Sequence, residues 1–451
     1  MNNFLYVVSY LSFLLLLGVL FRSKIKIFQN LFIPSSVIGG FVGLLLNPNI
    51  FPIWKNIINI EWYSYLKVIP GILIIPIIVS IPLGLNITKG IKKDSINMGL
   101  ILFIVTFFQL CIGYFVNYIY VTFFNGNIYK TFGAELNAGF AGGHGTAGMI
   151  GRSIKELNVD YWMLAQGIAT TIATVGLILG IIFGIYLINI GCRNGVTEKL
   201  KDPSAISEEL KKGYEKNINK QDTFGRETML TTSIDTLAYH CSIVFTVCGI
   251  SIGLISFFKI NKIPIFSKLS AWSLGMILMF FIWNIMKKLD LEWSIDSKVK
   301  SKLTGMFTEY AIVAAIATIP IVTIFKYIVP ILLILILGFF GTWKIIFILS
   351  KRYFKNNYYY ERGLALLGTS TGVFLTGLLL LRICDPKLET PVLRDYTLGF
   401  SLTALLGPIL IGLCITLSFQ YNTGICIILM GILFLIGIII IEYFNRKMSR
   451  E

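Results

Sequence analysis

The sequence predicts an all-α polytopic membrane protein, on three observations. Apolar residues make up 55% of the 451 positions against 14% charged, with a mean hydropathy of +0.77, well beyond what a water-soluble globule carries. The apolar residues gather in runs of bilayer-crossing length, separated by polar turns. Two glycine-rich, hydroxyl-bearing stretches interrupt these runs, ELNAGFAGGHGTAGMIG at Glu135–Gly151 and GLALLGTSTGVFLTG at Gly363–Gly377. Neither has the side chains of a stable lipid-facing helix.

Taken in order, the first run covers 4–21, and with no positive charge before Arg22 and no small-residue cleavage site it reads as a retained span. The second, 31–47, opens at Pro34 and carries Gly39 and Gly40, which permit close helix approach. The third, 68–86, holds Pro70, Pro76 and Pro82 and is expected to be kinked or partly unwound before ending at Asn86. A fourth covers 96–122, and a fifth, 161–189, is rich in small residues and threonine, Thr170 and Thr174 included. Residues 191–233 are densely charged and read as a hydrophilic connector, partly helical around 207–216. Spans resume at 234–258, 265–286, 306–325 and 328–350; the second glycine-rich stretch and a polar turn follow, then spans at 397–418 and 423–443.

The two halves share a plan. Pro34 and Pro264 are 230 positions apart, and Gly145 and Gly372 are 227 apart. Each half holds four spans, a re-entrant hairpin and a fifth span: 1–190 with its hairpin at about 135–151, and 234–420 with its hairpin at about 360–381, joined by the connector 191–233 and followed by an extra span and tail, 421–451. Five is odd, so the second copy is inverted relative to the first. With the amino terminus outside and the carboxyl terminus inside, 29 of the lysines and arginines fall in inward loops and nine in outward loops, the bias expected of a correctly oriented chain.

Several functions are disfavoured. The net charge of +16 and pI near 9.4 come from residues in loops between spans and not from a basic soluble module, so no nucleic-acid partner is expected. Seven cysteines form no CxxC pair, only two histidines occur, and HExxH and GxSxG are both missing. No transition-metal site is expected, and an enzyme reading lacks a nucleophile, base and orienting group.

The broken stretches remain. Non-helical backbone at membrane depth is tolerated only inside protein or beside a watery cavity, and in secondary transporters such breaks hold an anionic substrate and its coupling cation. The candidate substrate-binding residues are therefore Gly142, Gly143, His144, Gly145 and Thr146 in the first hairpin and Thr369, Ser370 and Thr371 in the second. Asn86, Thr170, Thr174, Glu309 and Arg382 are candidates for a sodium site or a site lining. The competing readings are plain: glycines for tight helix packing, a satisfied structural histidine at His144, a helix cap at Asn86 and a salt bridge from Arg382 to Asp385. His240 reads as structural.

GGHGTAG at Gly142–Gly148, with PSSVIGG at Pro34–Gly40, GLN at Gly84–Asn86 and ATVGLILG at Ala173–Gly180, resembles the bacterial sodium/glutamate symporter family over most of the first half. The resemblance implies a multi-pass protein of the bacterial inner (plasma) membrane that imports L-glutamate with Na+ as coupling ion and no other cofactor. It also implies ten spans in two inverted repeats, two re-entrant hairpins, a homodimer built on a fixed scaffold, and a mobile core working as an elevator. Two features depart from the family: the second hairpin reads GTSTG at Gly368–Gly372 where the family has a glycine-histidine motif, and the span at 423–443 is an eleventh. A di- or tricarboxylate or a 2-hydroxy acid is the alternative substrate; a channel and an intramembrane enzyme using His144 are the alternatives of another class.

Overall fold

A computed structural model describes residues 2–48, 50–56, 60–85, 93–124, 126–200, 208–221, 223–261, 271–355, 357–385 and 390–448. Among them the regular structure is entirely helical. The first half runs α1 (Asn2–Lys24), α2 (Lys26–Asn30), α3 (Ser35–Leu45), α4 (Ile60–Leu66), α5 (Ile69–Val79), α6 (Lys93–Phe123), α7 (Ala134–Glu156) and α8 (Trp162–Arg193). Among its described residues the connector contributes α9 (Glu208–Lys212), where 207–216 was expected to be helical, and a 3-10 turn at Ile218–Lys220. The second half runs α10 (Thr236–Ile260), α11 (Ala271–Lys288), α12 (Ser297–Ala317), α13 (Ile321–Phe325), α14 (Ile328–Tyr353), α15 (Tyr359–Thr371), α16 (Phe374–Cys384) and α17 (Val392–Gln420), with α18 (Thr423–Lys447) last. Six of these, α1, α6, α8, α10, α14 and α18, are long and apolar enough to cross a membrane. The chain is an all-α, multi-pass membrane protein.

Three expected spans are shorter or broken. The runs at 31–47 and 68–86 yield α3 and α5, 11 residues each, about 16 Å of helix against the roughly 30 Å of a bilayer's apolar core. Proline is the cause in α5: Pro76 withholds a donor inside the helix, and beyond Val79 a turn holds Pro82 and Gly84, whose φ of +69° favours glycine. The run at 306–325 divides into α12 and α13 just before Pro320, since the residue before a proline avoids the helical region. Pro264, one marker of the duplication, lies outside the described residues.

α12 begins well before its apolar stretch because Asp296 caps it, accepting the N–H groups of Lys298 (2.9 Å) and Val299 (3.1 Å). Burial pushes the Asp296 carboxyl up, but these donors and the Arg226 guanidinium hold it below its ordinary value. His240 is structural as expected. Its Nε2 accepts the Asp296 N–H (2.9 Å), which leaves Nδ1–H to donate to the Thr236 carbonyl (2.7 Å).

The packing has a regular exchange of neighbours. α1 lies on α3 and α12, while α10 lies on α11 and α5; α3 meets α12 as α11 meets α5. α5 packs on α12, and α6 packs on α14. Backbones touch where glycines allow it: a Cβ on Gly18 would stand 2.0 Å from the Ser35 carbonyl oxygen, and one on Gly39 would stand 2.4 Å from that of Leu14. One large apolar cluster joins α5, α10, α11 and α12 around the buried Trp272 and Trp283. α17 and α18 both lie against α6.

Candidate functional site: two helix breaks that meet beside α8

In a continuous α7, Ala138 and Thr146 would be eight residues and about 12 Å apart. Instead the Thr146 hydroxyl donates to the Ala138 carbonyl. α7 is therefore two arms, 134–142 and 144–156, folded at Gly143 (φ 64°, ψ −153°). The outer ends of both arms, at Glu135 and Gly151, lie at the amino-terminal end of α8. Glu135 accepts the Tyr129 hydroxyl (3.0 Å), whose ring stacks on Tyr161 at 4.6 Å, and Gly151 lies against Gln166. The fold itself lies deeper, where Gly139 meets Ala169 and Ala173 and Phe140 meets Gly176.

The second glycine-rich stretch makes a matching turn. α15 and α16 are joined at Gly372 and Val373 and pack glycine on glycine, since a Cβ on Gly368 would stand 2.7 Å from the Gly377 backbone. Tyr360 lies against Gly191, Leu380 against Gly184, and Thr371 against Gly180 and Gly176. This hairpin therefore lies along the carboxyl-terminal half of α8. The breaks meet on the middle turns of that 32-residue helix: a Cβ on Gly143 would stand 2.5 Å from Val373 Cγ1 and 3.4 Å from the Gly372 carbonyl oxygen. A left-handed φ and a blocked Cβ direction together restrict position 143 to glycine.

Around the junction, His144 is 1% exposed and its Nε2 lies 2.9 Å from Thr174 Oγ1. The Thr174 hydroxyl donates to the Thr170 carbonyl (2.8 Å), so its oxygen receives Nε2–H and the neutral ring keeps Nδ1 as an acceptor. Thr170 is buried with an unpartnered hydroxyl. In the second hairpin, Thr369 and Thr371 donate to the carbonyls one turn back, Ala365 (3.0 Å) and Leu367 (2.8 Å), and Thr369 also meets the Tyr396 hydroxyl. The second arm of α7 and α16 start at the junction, so their free N–H groups suit an anion. The first arm of α7 and α15 end there, and their carbonyls suit a cation.

Of the sequence-derived candidates, Gly142, Gly143, His144, Thr146, Thr170, Thr174, Thr369, Ser370 and Thr371 gather at or beside the junction. Gly145 stays close but is not sterically required, since a Cβ there would meet Ile74 at an ordinary 3.5 Å. Glu309 is exposed on α12 near Arg22, and Arg382 is exposed toward the end of α16 away from Gly372. The expected Arg382–Asp385 ion pair is not formed; Asp385 accepts the Thr390 N–H (2.9 Å). Asn86 lies outside the described residues.

Two polar groups were missed. Gln109, fully buried on α6, donates to the Ser370 carbonyl (2.8 Å) and the Thr342 hydroxyl (3.0 Å) and accepts the Asn137 amide (2.9 Å). It thereby links both hairpins to α14. Arg362, fully buried, pairs with Asp395 (2.9 Å) and Asp94 (3.2 Å) and lies over the Phe354 ring at 4.8 Å. An amide inside an apolar run was the available signal for the first; the second was indistinguishable in sequence from a loop charge.

The chain matches no protein-family model and no curated protein.

Proposed function

We propose that this protein is a sodium-coupled secondary transporter that imports L-glutamate or a related amino acid or carboxylate, a divergent member of the sodium/glutamate symporters. One observation carries the reading: two helix–break–helix hairpins, lying along opposite halves of α8, meet at its middle. In a chain whose helices cross the bilayer, that juxtaposition leaves helix ends and unwound backbone inside the protein, the arrangement by which secondary transporters hold a substrate and its coupling ion. The exchange of neighbours between α1, α3, α12 and α10, α11, α5 supports an inverted duplication. The lysine and arginine bias supports an outward amino terminus and an inward carboxyl terminus in a bacterial plasma membrane.

In this reading the hairpin N–H groups hold the carboxylate, Thr369 to Thr371 help complete the site, His144 Nδ1 accepts from the substrate's ammonium, and the carbonyl ends of α15 and the first arm of α7 take sodium. A homodimeric scaffold stays fixed while the hairpin-bearing core moves as an elevator. Sodium entry supplies the work, roughly 2.3 kcal/mol per charge across 100 mV, and no covalent step is needed. The second hairpin offers hydroxyls where the family has histidine, which keeps a di- or tricarboxylate or a 2-hydroxy acid as the second reading.

Purified protein in liposomes decides the matter. A sodium gradient drives accumulation of labelled L-glutamate above equilibrium, and a competition panel of amino acids and organic acids ranks the substrates. Uptake that only equilibrates points to a channel, and uptake indifferent to sodium removes the coupling ion.

A further inference from the structure

A cavity of about 390 Å³ opens between the amino-terminal turns of α8 and the α12–α13 break, toward the small end of the roughly 300–1,000 Å³ typical of small-molecule sites. Its walls carry one cation, Lys67, and one anion, Asp160, with the Gln166 amide and the Thr318 hydroxyl between apolar surfaces from Leu164 and Pro320. Among the described residues no ion pair takes up either charge. Thr170 also lines the cavity, and it is 1% exposed with a hydroxyl that has no partner. A buried hydroxyl left without a partner costs about 1–3 kcal/mol, a cost that a polar group reaching this wall of the cavity would relieve. The cavity is distinct from the junction of the breaks but coupled to it. The Thr170 carbonyl accepts the Thr174 hydroxyl, and Thr174 in turn meets His144.

We propose that this cavity binds a small zwitterion of α-amino-acid type, with Lys67 and the Thr170 hydroxyl meeting its carboxylate and Asp160 its ammonium. One fixed charge of each sign in a cavity of this size matches a ligand carrying one of each, and disfavours a simple anion, for which Asp160 is repulsive. The site is a holding position one helical turn from Thr174. Its purpose rests on the transport reading, but its binding chemistry does not.

The test uses the full chain with Met163, a half-exposed residue of the cavity wall, replaced by cysteine. Labelling by a hydrophilic maleimide is followed against the unsubstituted chain as blank. L-Alanine and L-glutamate are expected to slow labelling, while succinate, ethanolamine and phosphoethanolamine do not. Asp160→Asn and Thr170→Val are each expected to raise the protecting concentration about tenfold or more, as loss of a charge-assisted or buried hydrogen bond does. Because Thr170→Val keeps the side-chain shape and Asp160 is exposed, one of the two remains informative if the other fails to fold. Equal protection by succinate or phosphoethanolamine, or none by either amino acid, overturns the proposal. Glutamate uptake without protection rejects this site alone, whereas protection without uptake rejects the transport reading and leaves the site standing.

Discussion

The two hairpins have the same shape and are held by different forces. At its base, the first has an ion pair only within its own second arm, Arg152–Glu156 (2.7 Å), among the described residues, and is tied to its surroundings by hydrogen bonds: the buried Glu135 carboxyl accepts the Gly133 N–H (2.7 Å) and the Tyr129 hydroxyl. The second is fixed by a buried cation, with Arg362 bound between Asp395 of α17 and Asp94 of α6. At the tips the order reverses. The first presents an imidazole with a free acceptor, while the second has committed its threonine hydroxyls to its own helix carbonyls. The first tip therefore offers a side-chain acceptor, and the second offers backbone and hydroxyl lone pairs. Hairpin shape comes from glycine contacts common to both, and chemical character comes from what fills the remaining positions.

The contrast can be broken most severely at the shared junction. Gly143→Trp cannot keep the left-handed φ or clear Val373, so sodium-driven glutamate uptake in liposomes falls to background. Gly145→Ala, whose Cβ meets only Ile74, retains uptake, and equal loss in both variants would remove the distinction between these glycines. The two bases come next. Arg362→Met takes the buried cation from Asp395 Oδ2 and from Asp94, leaving Asp395 with Arg394 (3.1 Å) and the Ser95 hydroxyl (2.8 Å), and lowers stability in detergent by up to about 3–5 kcal/mol, read as a shift in thermal unfolding. Glu135→Gln keeps one acceptor and loses about 1–3 kcal/mol; a larger loss from Glu135→Gln than from Arg362→Met would invert the contrast.

The link between hairpins is a smaller effect. Gln109→Leu strands the Ser370 carbonyl and the Asn137 amide at a cost of about 1–3 kcal/mol. Adding Asn137→Leu costs less than the sum of the two, because the pair shares one hydrogen bond. The smallest effect lies far from both hairpins and sets the scale for an ordinary cap. Asp296→Ala costs about 1 kcal/mol. Because folding holds the Asp296 carboxyl below its ordinary value, its stabilisation is present above the unfolded carboxyl's titration range and is lost as pH falls through the folded one. Acid titration of unfolding should show this loss in the parent chain and not in the variant.

Much of the plan was legible in the sequence. Long apolar runs fix α1, α6, α8, α10, α14 and α18, since a run of that length has few other stable states. Glycine and proline spacing located both breaks, and Thr170, Thr174 and His144 were singled out because polar groups in apolar surroundings need partners. α3 was overread, because hydropathy counts apolar residues without registering where a helix stops, whereas the prolines of the run at 68–86 had already marked α5 as a broken span. Glu309 and Arg382 were misjudged for the opposite reason: a charge at a span's end has the same letter whether it faces inward or outward, and both face outward.

Composition and periodicity by themselves determined that this chain is a helical membrane protein with two glycine-rich interruptions, because each depends on local residue content. Only the tertiary structure decided that the interruptions touch, that Gln109 joins them, and that Arg362 is a buried anchor and not one more loop charge. Those are contacts between residues tens to hundreds of positions apart, and their energy depends on distance and burial, which a linear order of residues does not contain.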